Sequence, residues 1–232
     1  MIHGTMDRSS SFARAARRLP ELRVLTYDRR GYGKSTGAAP ADGPMAAHVE
    51  DLVGLLGGRS ATVVGHSFGG DVAFALALSH PELTTAVAAF EPPMPWIPWW
   101  PEGGASRDIR RQDIVAPAAV AERFFRLVAV DEVWESLPER TKADRRREGP
   151  AVLSDIDTLT GRTPPFDVAQ LSALETPIFL AAGEQSKPHQ RLGTARLAQA
   201  LGVPLTVITG ARHGAHSSHP EEFARWVRNI VA

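Results

Sequence analysis

A serine flanked by glycines is the residue of this sequence best placed to do chemistry. Residues 61–64 form an apolar run, Gly-His-Ser-Phe-Gly follows at 65–69, and a helical pattern begins at Asp71. A serine hydroxyl is a weak nucleophile until geometry and a neighbouring base activate it. A sharp strand-to-helix turn exposes the hydroxyl and directs helix-start amides towards a developing oxyanion. The pattern predicts that Ser67 is a nucleophile; a tight turn capped by a serine is the alternative.

The elements around this serine alternate between apolar strands and helices. Strands are predicted at 22–27, 61–64, 84–90, 177–182 and 205–208, and helices at 45–56, 71–79, 190–201 and 221–230. Such alternation indicates an α/β fold with a mostly parallel, doubly wound sheet covered on both faces.

Residues 94–167 break this alternation. The segment begins with a stretch too rich in proline for regular structure, and helical patterns follow at 120–130 and 131–139. Ligands of open α/β folds bind at the carboxyl edge of the sheet. We therefore predict that 94–167 forms a small helical cap over that edge, and that 1–93 and 168–232 form the two parts of the core domain.

The composition of the chain excludes several classes of function. The formal net charge is zero over 232 residues, so no broad basic surface suggests nucleic acid or a membrane as partner. Cysteine is absent, which excludes disulfides and thiolate metal sites. The N-terminus lacks the apolar core of a signal peptide, and no apolar run is long enough to cross a membrane. We expect a cytoplasmic enzyme that needs no metal and no cofactor.

Four motifs, in their order and spacing, resemble the α/β-hydrolase superfamily over nearly the whole chain. They are His-Gly at 3–4, Asp-Arg-Arg-Gly-Tyr-Gly-Lys-Ser at 28–35, the glycine-flanked serine at 65–69, and Gly-Ala-Arg-His at 210–213. The resemblance implies an α/β-hydrolase fold, a Ser–acid–His triad and hydrolysis through an acyl-enzyme. It identifies no substrate, because this fold hosts many chemistries. Relatives have further strands before the His-Gly pair, so the N-terminal strands are expected to be missing here and the true start to lie upstream.

The resemblance assigns the base and the oxyanion donors. His213 follows the last strand, and a neutral imidazole can take the serine proton and return it to the leaving group. The oxyanion donors are the backbone amides of Phe68, directly after the nucleophile, and Thr5, directly after the His-Gly pair. His216 and His219 are expected to be loop or cap residues and are the alternative bases.

The acid of the triad departs from the common family pattern. The family usually has an aspartate where this chain has Ser186, and a serine cannot balance an imidazolium charge. Glu91 is our candidate acid, because it ends a neighbouring strand and Pro92-Pro93 would hold the chain rigid there. The alternative acids are Glu184, Asp155 and Asp157.

Other residues are expected to shape the site without reacting. The family resemblance implies that Asp28 is mainly structural, and His3 is expected to support the oxyanion loop through hydrogen bonds. Trp96, Trp99 and Trp100 are predicted to line an apolar substrate pocket, and packing of the cap onto the core is the alternative.

The most favoured function is hydrolysis of a small-to-medium ester, thioester or amide through an acyl-enzyme. The expected partner is an apolar small molecule, and the sequence does not predict an oligomeric state. Perhydrolysis and carbon–carbon bond hydrolysis are options for the same site. A ligand-binding hydrolase fold without catalysis is the alternative from a different class.

Overall fold

A parallel four-stranded sheet lies at the centre of the molecule. The computed structural model describes residues 1–37, 43–129 and 131–231. The strands, in spatial as well as chain order, are β1 (Ala61–His66), β2 (Thr84–Phe90), β3 (Ile178–Gly183) and β4 (Leu205–Ile208). Every neighbouring pair is parallel. The predicted α/β class with a parallel sheet is confirmed.

Helices precede, separate and follow these strands. The helices of the predicted core are α1 (Ala13–Ala16), α2 (Met45–Leu56), α3 (Phe68–Ser79), α9 (Val168–Ser172) and α10 (Pro188–Leu201), followed after β4 by α11 (Ala215–Ser218) and α12 (Pro220–Val231). Between β2 and α9 lie α4 (Ala105–Arg111), α5 (Pro117–Ala129), α6 (Asp131–Ser136), α7 (Glu139–Arg147) and α8 (Gly149–Thr160). Among the described residues, no helix has the length and apolar character required to span a membrane.

The two faces of the sheet bury different side chains, because successive strand residues point to opposite sides. Val63, Val87 and Leu180 pack with α2, α3 and α10 on one face. Their strand neighbours Val64 and Ala88 pack with α1 and α12 on the other. Layers of helices therefore cover both faces, as the continuous apolar strands predict.

The helices α4, α5 and α8 form a third apolar cluster with Met6 and Tyr32. The predicted helix over 131–139 is confirmed over 131–136, but α6 ends at Ser136 and a separate helix, α7, begins at Glu139. Pro138 explains the break, since proline lacks an amide hydrogen and disfavours helical backbone at the residue before it. That 94–167 is a separate cap stays a prediction. Val130, at the end of the predicted helix 120–130, and Ala232, at the end of the predicted core, lie outside the described residues.

The predicted strand at 22–27 is wrong. Among the described residues this segment forms no ladder with a neighbouring strand, and Met1 N donates to the Leu25 carbonyl at 2.7 Å. Its apolar side chains serve packing instead, with Leu22 and Val24 against the α12 side of the core. Beside β1, Ile2 forms one isolated parallel bridge with Gly65.

Candidate active site

Ser67 occupies a sharp turn between β1 and α3. Its backbone has φ 53° and ψ −131°, a left-handed conformation that costs a non-glycine residue about 1–3 kcal/mol. Ser67 N donates to the Phe90 carbonyl at 2.9 Å, which ties the turn to the end of β2. A side chain at Gly69 would overlap the Ile2 backbone, and one at Gly65 would overlap the Gly69 carbonyl. The glycines on either side of the serine are therefore required by close backbone approach.

His213 and Glu91 meet beside this turn. The His213 Nδ1 lies 2.6 Å from Glu91 Oε2. The Gly183 amide donates to the other oxygen, Oε1, at 2.8 Å, so both oxygens of this buried carboxylate have partners. Glu91 itself has a positive φ of 48°, which marks a second constrained residue at a strand end. A carboxylate that accepts from Nδ1–H holds the imidazole in the tautomer whose Nε2 can accept a proton.

The alternative acids lie in other environments. Asp155 is buried among Arg29, Tyr32 and Thr5, and Asp157 pairs with Arg110. Glu184 accepts from the Gly210 amide at 2.8 Å. Ser186, where the family usually has an acid, is buried, and its hydroxyl has no hydrogen-bond partner among the described residues. Among these carboxylates, the geometry favours Glu91 as the partner of His213.

The loop that carries Thr5 lies against Ser67. A Cβ at Gly4 would be only 2.8 Å from the Ser67 Cβ, so glycine is needed for this approach. Within the described residues, the amides of Thr5 and Phe68 have no hydrogen-bond acceptor. Both amides therefore remain free to donate to a substrate oxygen, although their role as an oxyanion hole stays a prediction.

His3 holds this loop through both ring nitrogens. The Arg29 amide donates to Nε2 at 2.8 Å, so the proton of the neutral ring sits on Nδ1, which lies 2.8 Å from the Gly4 carbonyl. Burial, assisted by the Arg29 charge, lowers the pKa of His3 to about 4. The neutral ring needed for these two bonds is therefore the stable form at neutral pH.

A buried ion pair, which the sequence analysis missed, fastens the same loop to α8. Arg29 donates to both oxygens of Asp155 at 3.1 and 2.7 Å, and both side chains are almost fully buried. Asp155 Oδ2 also accepts from Tyr32 Oη at 2.7 Å and from Thr5 Oγ1 at 2.8 Å. Burial alone would raise the pKa of Asp155, but the charge and hydrogen bonds of Arg29 outweigh burial and hold it below its ordinary value. Arg29 belongs to a recognised motif, but its partner is 126 residues away and carries no local signal.

The three tryptophans make packing contacts. The Trp96 indole Nε1 donates to the Phe166 carbonyl at 2.9 Å, and its ring meets the Phe166 ring edge-on. Trp100 is buried and fills the space beside Gly193 of α10, where a Cβ would overlap the indole. Trp99 packs against the same core cluster. These contacts agree with the alternative in which the tryptophans pack the cap onto the core. A role in lining a substrate pocket stays a prediction.

Two further histidines lie next to His213. His66 Nε2 is 2.9 Å from the His213 carbonyl, and the two rings are 4.5 Å apart. The expectation that His216 is a loop or cap residue is wrong, because it lies within helix α11 and its ring is buried against Phe12. His219 contacts the Ser218 hydroxyl at 2.9 Å. Sequence spacing could not show that His66 and His216 pack ring against ring, 4.3 Å apart.

A family model described as "Alpha/beta hydrolase family" matches residues 1–226. The chain belongs to this family. The chain is similar to a lipase, LipV, of Mycobacterium tuberculosis, with 38% identity over 94 residues that span 39% of this chain and 35% of the lipase. A 2-succinyl-6-hydroxy-2,4-cyclohexadiene-1-carboxylate synthase of Serratia proteamaculans is 25% identical over 99% of this chain and 91% of its own.

Solved structures show the same fold. A thermophilic esterase from Thermogutta terrifontis superposes with a TM-score of 0.72 and 21% identity, over 99% of this chain and 87% of the esterase. At that identity the likeness establishes the fold and leaves the substrate open. The protein is therefore an alpha/beta hydrolase whose reaction must be argued from its own side chains.

Proposed function

We propose that this hydrolase cleaves a carboxylic ester of small-to-medium size through an acyl-enzyme on Ser67. The observation that carries the proposal is the 2.6 Å contact between His213 Nδ1 and Glu91 Oε2 beside the strained Ser67 turn. A thioester or an amide would pass through the same intermediates. Relatives described as a lipase and an esterase support an ester over an amide.

The proposed first step forms the acyl-enzyme. Ser67 Oγ attacks the ester carbonyl carbon while His213 Nε2 accepts its proton, and the carbonyl π pair moves onto the oxygen. The amides of Thr5 and Phe68 donate to that oxyanion. Collapse of the intermediate breaks the carbon–oxygen bond to the leaving alcohol, which takes the proton from His213. Glu91 stays ionised and stabilises the imidazolium throughout.

Water completes the cycle. His213 removes a proton from water as its oxygen attacks the acyl carbon, and the second tetrahedral intermediate expels Ser67, which recovers its proton. The products are a carboxylic acid and an alcohol, and the enzyme returns to its starting state. The steps require only the side chains and amides named above together with water.

Turnover of a short-chain nitrophenyl ester tests the proposal. The wild type should release nitrophenol catalytically. S67A should lose this activity, so that its rate of ester hydrolysis is close to the rate without enzyme. S186A is the matched control, since Ser186 is a buried serine that the mechanism does not use. Equal turnover by S67A and the wild type would overturn the proposal, and a folded wild type without any turnover would favour the non-catalytic alternative.

A further inference from the structure

Asp7, His66 and His216 bring three metal-ligand atoms together on the side of His66 away from the His213 carbonyl. The Asp7 Oδ2 lies 3.3 Å from His216 Nε2 and 3.8 Å from His66 Nδ1. All three atoms lie within 4.8 Å of one another. We call this group the Asp7 cluster.

His66 presents an unused lone pair to this cluster. Its Nε2 must carry the ring hydrogen, because the group 2.9 Å away is the His213 carbonyl, which can only accept. The neutral ring then leaves Nδ1 as an acceptor, and Nδ1 is buried with no hydrogen-bond partner among the described residues. The residue is 6% exposed, and its unpaired acceptor faces a carboxylate oxygen, itself an acceptor. Two acceptors that face each other at this distance leave a place for a cation.

The other two candidate ligands, Asp7 and His216, are also oriented with a free ligand atom towards the cluster. The Arg8 amide donates to Asp7 Oδ1 at 2.8 Å, which fixes the carboxylate and leaves Oδ2 towards the histidines. His216 is buried, and its Nδ1 has no partner in the described part of the chain, so that nitrogen can carry the hydrogen and free Nε2 to bind. Ser11 Oγ, 3.1 Å from His216 Nε2 and 2.9 Å from Asp7 Oδ2, adds a fourth polar atom at the same place.

The spacing suits a tetrahedral transition-metal ion. Ligands about 2.0–2.1 Å from a tetrahedral Zn²⁺ are roughly 3.3 Å from one another. The two separations from Asp7 Oδ2 are 3.3 and 3.8 Å, and the two histidine nitrogens lie within 4.8 Å of each other. Rotations of the side chains that move these atoms by up to about 1.5 Å would bring all three to the tetrahedral spacing. Two imidazoles with one carboxylate favour zinc and its neighbours over magnesium or calcium, which prefer oxygen ligands. The Asp7 side chain is 23% exposed, so an ion has a route from solvent.

We propose that Asp7, His66 and His216 form a binding site for a divalent transition-metal ion of the zinc class. Such an ion would join three segments of the chain: the loop after Thr5, the end of β1 and helix α11. It would also fix the ring whose Nε2 bonds the His213 carbonyl, next to the predicted base. This site departs from the expectation of no metal, which rests on the absence of cysteine and on a hydrolytic mechanism that implies none.

Metal binding by the whole folded protein tests this site without any esterase assay. The chelator-treated wild type should bind one equivalent of Zn²⁺ in calorimetry, and Co²⁺ should give a visible d–d absorption band that Zn²⁺ abolishes. D7N and H216Q should each weaken Zn²⁺ binding by at least tenfold. Removal of a ligand should lower the affinity more than removal of an outer-shell partner, which typically costs about 10- to 100-fold. H219Q, three residues further on, should bind as the wild type does. Zn²⁺, but not Mg²⁺, should raise the thermal unfolding temperature.

Two results would overturn the site. One is a wild type, folded by circular dichroism, that gives neither stoichiometric heat nor a Co²⁺ band. The other is binding that D7N and H216Q leave unchanged, which would place the ion elsewhere. Because D7N replaces a carboxylate by an amide of the same shape, it keeps the test valid if H216Q fails to fold. Neither result depends on whether Ser67 hydrolyses esters.

Discussion

At the scale of single residues, two strained positions carry the candidate chemistry. Ser67 and Glu91 both have positive φ, and each directly follows a strand of the sheet, β1 and β2 respectively. Strain of this kind persists where the surrounding structure over-determines the conformation, and it clusters at functional sites. The Ser67 amide bonds the carbonyl of Phe90, the residue directly before Glu91, so the two turns are mechanically linked.

Substitution of the carboxylate tests the role of Glu91 in the triad. E91Q keeps the shape of the side chain but cannot hold the imidazole in the required tautomer or stabilise its charge. We expect kcat to fall by about 10⁴-fold while the fold is retained. Ester turnover and circular dichroism measure the two parts of this prediction.

E184Q is the matched control for this substitution. Glu184 follows β3 and bonds the Gly210 amide, so its loss should leave kcat within a few-fold of the wild type. Near-normal turnover by E91Q would remove Glu91 from the triad. A large loss of turnover in E184Q would indicate that Glu184 is the acid instead.

At the scale of elements, α8 is fastened to the loop that carries Thr5. Asp155 projects from α8 into a buried site where Arg29, Tyr32 and Thr5 all bond it. The Arg29 side chain also donates to the His3 carbonyl at 2.9 Å, next to Gly4. Removal of one partner from a buried ion pair leaves the other charge unpaired, which is far more costly than loss of an exposed pair.

D155N should therefore destabilise the protein strongly. We expect the free energy of unfolding in urea to fall by about 3–5 kcal/mol, because the Arg29 guanidinium stays buried without a carboxylate. D157N is the matched control on the same helix: its carboxylate is 53% exposed and pairs with Arg110, so the cost should be below about 1 kcal/mol. Equal costs for the two variants would contradict this account of the network.

Local elements were predictable where one segment contains the whole signal. The bounds of α2 and β2 agree with the sequence prediction, because helical spacing ends at Gly57 in the left-handed conformation and an apolar run ends before Glu91-Pro92. The segment 22–27 has the composition of a strand but lacks a partner to bond, and strand formation is decided by that partner. Glu91 could be proposed from its strand-end position. The Arg29–Asp155 pair and the Asp7 cluster could not, since each joins segments distant in the chain.

At the scale of the whole molecule, buried neutral histidines make stability depend on pH. Burial, assisted by the Arg29 charge, lowers the pKa of His3 to about 4 and that of His48 to about 3. The carboxylates of Asp7 and Asp28 facing His3, and of Asp155 and Asp51 facing His48, oppose these shifts without reversing them. In the unfolded chain both groups titrate near 6.5, so the unfolded state takes up protons first as the pH falls. The stability from these neutral rings is fully present above pH 6.5 and is lost as the pH falls towards the folded pKa values.

Between pH 7 and 5.5 we expect the free energy of unfolding to fall by about 2–3 kcal/mol from His3 and His48 together. Urea titrations at both pH values measure this difference. H48Q should make the measured fall smaller by about 1 kcal/mol, while H80Q should leave it unchanged, since the His80 side chain is 38% exposed. A free energy of unfolding that is the same at both pH values would contradict the neutral, buried state of these rings.

Covalent labelling of the folded protein shows whether Ser67 is the nucleophile of this hydrolase. The folded protein, treated with a fluorophosphonate, should gain the mass of one probe, and peptide mapping should place the adduct on Ser67. S67A should remain unlabelled, and E91Q should label far more slowly than the wild type because its base is not held in the reactive tautomer. A folded wild type that gains no probe, or gains it on a residue other than Ser67, would contradict the account.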